Sequence, residues 1–173
     1  MFENRFENIF RRKEPRRERE PRSAPRRREP PPPPPRPRDF GQEPYVVDID
    51  AAALKNEAFR TALWTGKHLQ LTLMSIAPGG DIGLEMHPAT DQFLRVVQGK
   101  GLVLMGTLKD RLGFEQKVGE GDAILIPAGC WHNVINTGRR PMKLYSIYGP
   151  PQHPKGTVHR TKSEALAAEE GHR

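Results

Sequence analysis

Four residues carry ligand chemistry in a stretch that otherwise reads as alternating strand: Glu85, His87, Gln92 and His132. Three of them lie in GLEMHPATDQF, residues 83–93. Side chains alternate across a strand. In IGLEMH, Gly83, Glu85 and His87 therefore point to one face, and Ile82, Leu84 and Met86 to the other. Burying a carboxylate beside an imidazole costs free energy unless a partner satisfies both. Gln92 shares a face with Leu94 and Val96, and a strand returning through the turn PATD would set it opposite His87. Further on, PAGCWHNVIN supplies His132, in phase with Val134 and Asn136. Two imidazoles, one carboxylate and one amide oxygen suit a divalent ion such as Mn, Fe, Zn, Co or Ni.

The elements that must position these groups are short strands. From Tyr45 the chain alternates apolar and polar residues in runs of four to eight, broken by Gly, Pro, Asn and Asp. YVVDI, TALWTG, LQLTLMSIA, IGLEMH, FLRVVQG, GLVLMG, DAILIPA, HNVINTG and KLYSIYG read as strands. AALKNEAF, residues 52–59, reads as one short helix among them. Strands at this spacing form an antiparallel sandwich or barrel. After Pro154 the chain turns polar, and Thr161 to Glu164 is a capping-box pattern opening a helix over EALAAEE. The expected organisation is a tail over residues 1–40, an all-β domain over 41–152 and an extension with a short helix over 153–173.

Two spacings then resemble the cupin superfamily. Its first motif runs glycine, five residues, His-X-His, three or four residues, glutamate, six residues, glycine. Gly79, Glu85, His87, Gln92 and Gly99 keep these intervals, with Glu85 at a usual histidine and Gln92 at the usual glutamate. The second motif is matched without departure by Gly121, Pro127, Gly129, His132 and Asn136. The resemblance implies a single-domain jelly-roll β-barrel of two facing sheets, one metal inside its mouth, and a homodimer as the commonest assembly. Gly99 and Gly129 are expected to take positive φ in turns, and Pro127 to set the turn presenting His132. The stretches PYVVDI, LWTGKHLQLTLM and YGPPQHPKGTVHRTK look like small stand-alone bacterial cupins, often labelled by likeness to mannose-6-phosphate isomerases.

That likeness implies a small-molecule ligand rich in oxygen, a sugar or sugar phosphate, and a metal-dependent isomerisation; the sequence does not name its base, for which Lys143 is only a candidate. Two histidines and a carboxylate are equally the donor set of non-heme iron oxygenases, so a dioxygenase is the alternative. A third reading is a non-catalytic ligand-binding or structural cupin. Asp91 is expected to be exposed, Cys130 to pack, and Trp131 to point away from His132. One of Tyr145 and Tyr148 is expected to line the pocket, while His68, His153 and His159 read as edge, surface or lid residues.

The charge is concentrated in the tail. Residues 1–40 hold 13 basic and 7 acidic residues, and the remainder holds 15 and 14. The near-neutral domain gives no electrostatic sign of a nucleic-acid partner. Residues 11–38 are Arg, Glu and Pro, with Pro30 to Pro35 a polyproline run, and so have little to bury. This reads as a disordered spacer, with contact to an anionic polymer as the sharper alternative. In FENRFENIF, Phe2, Phe6, Ile9 and Phe10 would share a helical face. A single cysteine excludes an internal disulfide. No run is apolar enough to span a membrane and the N-terminus does not read as a secretory signal, so the expected location is cytoplasmic.

Overall fold

The computed structural model describes residues 39–170; the polyproline tail and the FEN repeat lie outside the described residues. In chain order the elements are α1 (Ile49–Lys55), β1 (Arg60–Thr65), β2 (Gln70–Ile76), β3 (Asp91–Gln98), β4 (Lys100–Gly106), β5 (Phe114–Gly119), β6 (Ala123–Ile126), β7 (Trp131–Asn136), β8 (Met142–Gly149), β9 (Val158–His159) and α2 (Lys162–Glu170). Six strands form one sheet in the order β6-β3-β8-β2-β1-β9, and three form another in the order β5-β4-β7. Every pairing is antiparallel. This is an all-β antiparallel barrel, as the strand spacing predicts, in the jelly-roll form that the resemblance implies.

Alternation on each strand supplies the core. Met74, Ile76, Leu94, Val96, Ile124, Ile126 and Leu144 face inward from the large sheet, and Val103 and Val134 meet them from the small one. Burial of an apolar side chain of this size stabilises the fold by about 2 kcal/mol each. The outer face of the large sheet has its own cover: Leu63, Leu73 and Val97 pack with Ala53 of α1 and with Phe40, Val47 and Ile49.

Several local expectations change for identifiable reasons. YVVDI is not a strand, because the Asp48 side chain accepts from Ala51 N–H at 3.0 Å and caps α1. The helix consequently starts before residue 52 and ends at Asn56, whose N–H donates to the Ala52 and Ala53 carbonyls. β5, with the sequence FEQKVG, carries no apolar alternation because it is an exposed edge strand. The segment after Pro154 is built into the barrel: β9 pairs with β1, and Ala165 of α2 is buried in the core. At its start the Glu164 N–H donates to Thr161 Oγ1 at 3.2 Å and the Arg160 N–H to Glu164 Oε2 at 2.6 Å, a variant of the expected capping box. At the other end Asp39 and Phe40 are also tied in. Asp39 accepts from Thr65 N–H, Thr65 Oγ1, Gly41 N–H and Gly156 N–H.

Candidate metal centre

The segment 81–87 is a broken strand lying against β7. Asp81 bridges Ile135, and Glu85 bridges His132. The Glu85 and His132 N–H groups each donate to the other's carbonyl, at 3.0 and 2.9 Å, so the two side chains leave a paired position on the same face. From Asp81 to Glu85 is four residues, but from Ile135 to His132 only three. The extra residue is accommodated at Gly83, whose φ of 96° is in the left-handed region. Strict alternation therefore fails here: Ile82 and Glu85 both turn inward, and Leu84 is left exposed. His87 is fixed next, its carbonyl accepting from Gly129 N–H at 2.8 Å in the turn that opens with Pro127. Gly129 has φ of 77° and Gly99 has φ of 100°, as the turns require.

Glu85, His87 and His132 converge. Glu85 Oε1 lies 3.4 Å from His87 Nε2 and 3.3 Å from His132 Nε2. None of these three buried atoms has a hydrogen-bond partner. The His132 Nδ1 is 2.9 Å from the Cys130 carbonyl, to which it donates, so Nε2 carries the free lone pair. Burial pushes the Glu85 carboxyl up, but the His132 and His87 rings and the Arg60 guanidinium outweigh it and hold the carboxyl well below the usual range. Two ligands bonded at about 2.1 Å to one ion lie roughly 3.0–3.4 Å apart, for angles between octahedral and tetrahedral. The unpartnered atoms and both measured edges fit a divalent cation.

Gln92 reaches the same interior from the facing sheet. It is not opposite His87, as the turn PATD suggests; it pairs with Tyr148 on one side and Ile126 on the other. PATD crosses from one sheet to the other instead of closing a hairpin. Gln92 is 3% exposed. Its Nε2 donates to Ser146 Oγ at 3.0 Å, and its Oε1 is buried without a partner.

The surrounding residues sort clearly. Tyr148 is fully buried on the inner face, with its ring edge-on to His87 at 5.7 Å and to His153 at 5.2 Å. Burial raises its phenol, so it stays protonated. His153 is thus an inner-wall residue rather than a surface one; burial, then the positive Arg60, press its pKa down to about 3. Tyr145 is on the outer face against Phe93. Lys143 is on that outer face too, donating to the Asn56 carbonyl, and takes no part in the site. Asp91 is exposed and accepts from Ala128 N–H at 2.8 Å, anchoring the second-motif turn. Cys130 packs against the core, and Trp131 lies under the Lys109 ammonium, 5.3 Å from the ring centre. His68 is exposed. Arg60 escapes the sequence reading altogether: it is 1% exposed at the first position of β1, with Nη2 3.8 Å from Glu85 Oε2. A lone arginine before an apolar run looks like a solvated strand end.

Comparison with known proteins agrees with this architecture. A Bacillus subtilis (strain 168) protein, the uncharacterized YrkC, is 61% identical over 133 residues, covering 77% of this chain and 72% of its own. An uncharacterized protein of Acanthamoeba polyphaga mimivirus is 42% identical over 115 residues, covering 66% and 70%. A crystal structure from Bacillus halodurans superposes with a TM-score of 0.75 at 63% identity, covering 75% of this chain and 98% of that one. A Klebsiella pneumoniae protein with a double-stranded β-helix domain shares the fold, with a TM-score of 0.53 at 18% identity over 69% of this chain and 100% of that one. Residues 72–148 match the cupin domain family, and with the two motifs and the barrel in place, the chain belongs to the cupins.

Proposed function

We propose that Glu85, His87 and His132 hold one divalent cation, with Gln92 as a fourth, neutral ligand, and that the protein binds and transforms a small oxygen-rich molecule there. The observation that carries this is the convergence of three buried ligand atoms, all within 4.8 Å of one another and none hydrogen-bonded. A bound ion would act as a Lewis acid toward ligand oxygens. Gln92 suits a fourth place because Ser146 holds its amide nitrogen and leaves the oxygen free. A ligand with two adjacent oxygens matches the positions that four protein ligands leave open on a six-coordinate ion. Sugars, sugar phosphates and hydroxy or keto acids have this property. A homodimer belongs to the same reading.

Isomerisation of such a molecule needs a proton carrier within reach. Lys143 is turned away, which leaves neutral His153 on the inner wall as the candidate. A second reading, a non-heme iron dioxygenase, is favoured by the two-histidine, one-carboxylate donor set and needs no protein base. The first test is metal analysis of protein purified without chelators, alongside His132→Ala. Stoichiometric metal in the parent and its loss in the variant are expected; equal, substoichiometric metal in both would refute the site. The Mn(II), Fe(II), Co(II) and Zn(II) forms are then incubated with aldose and ketose phosphates, with and without oxygen. Turnover only with Fe(II) and oxygen selects the dioxygenase. No turnover with any metal, alongside tight binding of a chelating metabolite, selects a binding protein.

A further inference from the structure

Among the described residues, Arg60 is a buried charge whose donors are poorly used. A guanidinium carries five N–H donors and no acceptor. In a buried site it normally makes short bonds of about 2.7–2.9 Å to carboxylates, often two in parallel. Arg60 is 1% exposed, yet its Nη1 is 3.5 Å from Glu169 Oε1 and its Nη2 is 3.8 Å from Glu85 Oε2. Its Nε has no partner at all. The face of its neighbour Phe59, 5.6 Å away, offers only a weak cation–π contact. Leaving such a group unsatisfied in the interior is expensive.

The groups around it point the same way. Tyr148 Oη, Thr72 Oγ1, His153 Nε2 and His159 Nδ1 are buried without partners. Thr72 and Tyr148 are inner-face residues of adjacent strands, and His159 is paired with Arg60 across β1 and β9. Hydroxyl and guanidinium donors dominate this set. Charge adds a second argument. Glu85 is the acid beside Arg60 with an oxygen turned to the metal position, so a divalent ion would leave Arg60, Glu85 and the ion with a net charge of about +2 inside the barrel. Glu169, with 47% of its side chain exposed, offsets this only from the rim.

We propose that Arg60 is the binding residue for an anionic group, a carboxylate, on the molecule held at the metal centre, so that the ligand is a 2-hydroxy or 2-oxo acid rather than a neutral sugar. This rests on the metal reading but is tested separately from it. Glycolate and glycolamide differ in charge and hardly in shape. Their binding to the Mn(II)-loaded full-length protein is measured by calorimetry, with metal content determined on the same samples. Glycolate is expected to bind at least about tenfold tighter. Arg60→Gln should lower that preference several-fold, leaving only the ion's own preference for a carboxylate oxygen, while metal content holds or rises, because a cation next to the ion is removed. Arg60→Lys should keep more of it. Equal binding of the two probes to the parent, or binding of neither up to about 10 mM, overturns the proposal whether or not Arg60→Gln folds. A glycolate preference as large in Arg60→Gln as in the parent also overturns it. If the parent holds no metal yet prefers glycolate in an Arg60-dependent way, the metal reading falls and the anion site stands.

Discussion

Asn136 ends the second motif, and its chemistry predicts a role separate from the metal centre. Its side chain is fully buried. Nδ2 donates to the Ile76 carbonyl at 2.9 Å and the Arg140 carbonyl at 2.8 Å, and Oδ1 accepts from Gly138 N–H at 2.8 Å. One amide thus pins the end of β2 and the turn leading into β8. In Asn136→Ala all three bonds are lost and the backbone groups are left short of partners. At about 1 kcal/mol net per bond, the expected loss is about 3 kcal/mol. For a folded region of this size that lowers Tm by roughly 10 °C. Asn136→Asp is the sharper case. It keeps the acceptor for Gly138 but sets a carboxylate oxygen against two carbonyls, so it should cost at least as much as alanine despite its near-identical shape. Metal content should be unchanged in both. Urea unfolding and calorimetry measure the loss. An alanine cost under about 1 kcal/mol, an aspartate milder than alanine, or metal lost from protein that is still folded would each refute the reasoning.

Three further outcomes are expected. Gln92→Ala should reduce metal affinity less than His87→Ala or His132→Ala, because an amide is the poorest of the four donors; metal titration ranks them, and a Gln92 variant as weak as the histidine variants would contradict the proposed ligand set. His153, pressed from 6.5 to about 3, stays neutral in the fold while the unfolded chain takes up its proton, so stability is full above pH 6.5 and falls as pH drops toward 3. Between pH 7.5 and 5 this group contributes up to about 2 kcal/mol of that loss in chelator-treated protein, and His153→Asn should flatten the profile by that amount. Removing residues 1–38 should leave Tm and metal content unchanged and abolish any salt-sensitive binding to anionic polymers, whereas Asp39→Ala should lower Tm by a few degrees because four hydrogen bonds end on that carboxylate. A matching loss on removing residues 1–38 would show that the tail supports the fold.

What the sequence made legible was whatever physics ties to residue counting. The motif glycines were readable because turns demand left-handed backbone, and Gly99 and Gly129 have it. The inward set Glu85, His87, Gln92 and His132 was readable because charged and amide groups are rare in strand interiors. Tertiary context hid the rest. β5 is exposed along most of its length and so has no apolar phase to detect. YVVDI has strand propensity, but the Asp48 cap settled the competition for a helix. Arg60 and Thr72 come together through the pairing of β1 with β2, and His153 joins that wall through the return of the chain past Tyr148. Lys143 had the right residue type on the wrong face, since β8 buries both of its faces: one against the core, the other beneath α1.

The extra residue at Gly83 shows what places Glu85: its pairing with His132, not the phase of the strand before it. Upstream of it the chain is in step with β7 through Asp81; downstream it is in step through Glu85, one count later. Removing Leu84, an exposed residue, would restore a single register from Asp81 onward and still leave the carboxylate opposite His132 on the inner face, with the hydrophobic core untouched. The place of Glu85 is thus secured by its partner strand and not by counting from Asp81. A length change of one residue here would be absorbed upstream of the ligand cluster, so this edge of the barrel can vary in length without disturbing the groups it presents.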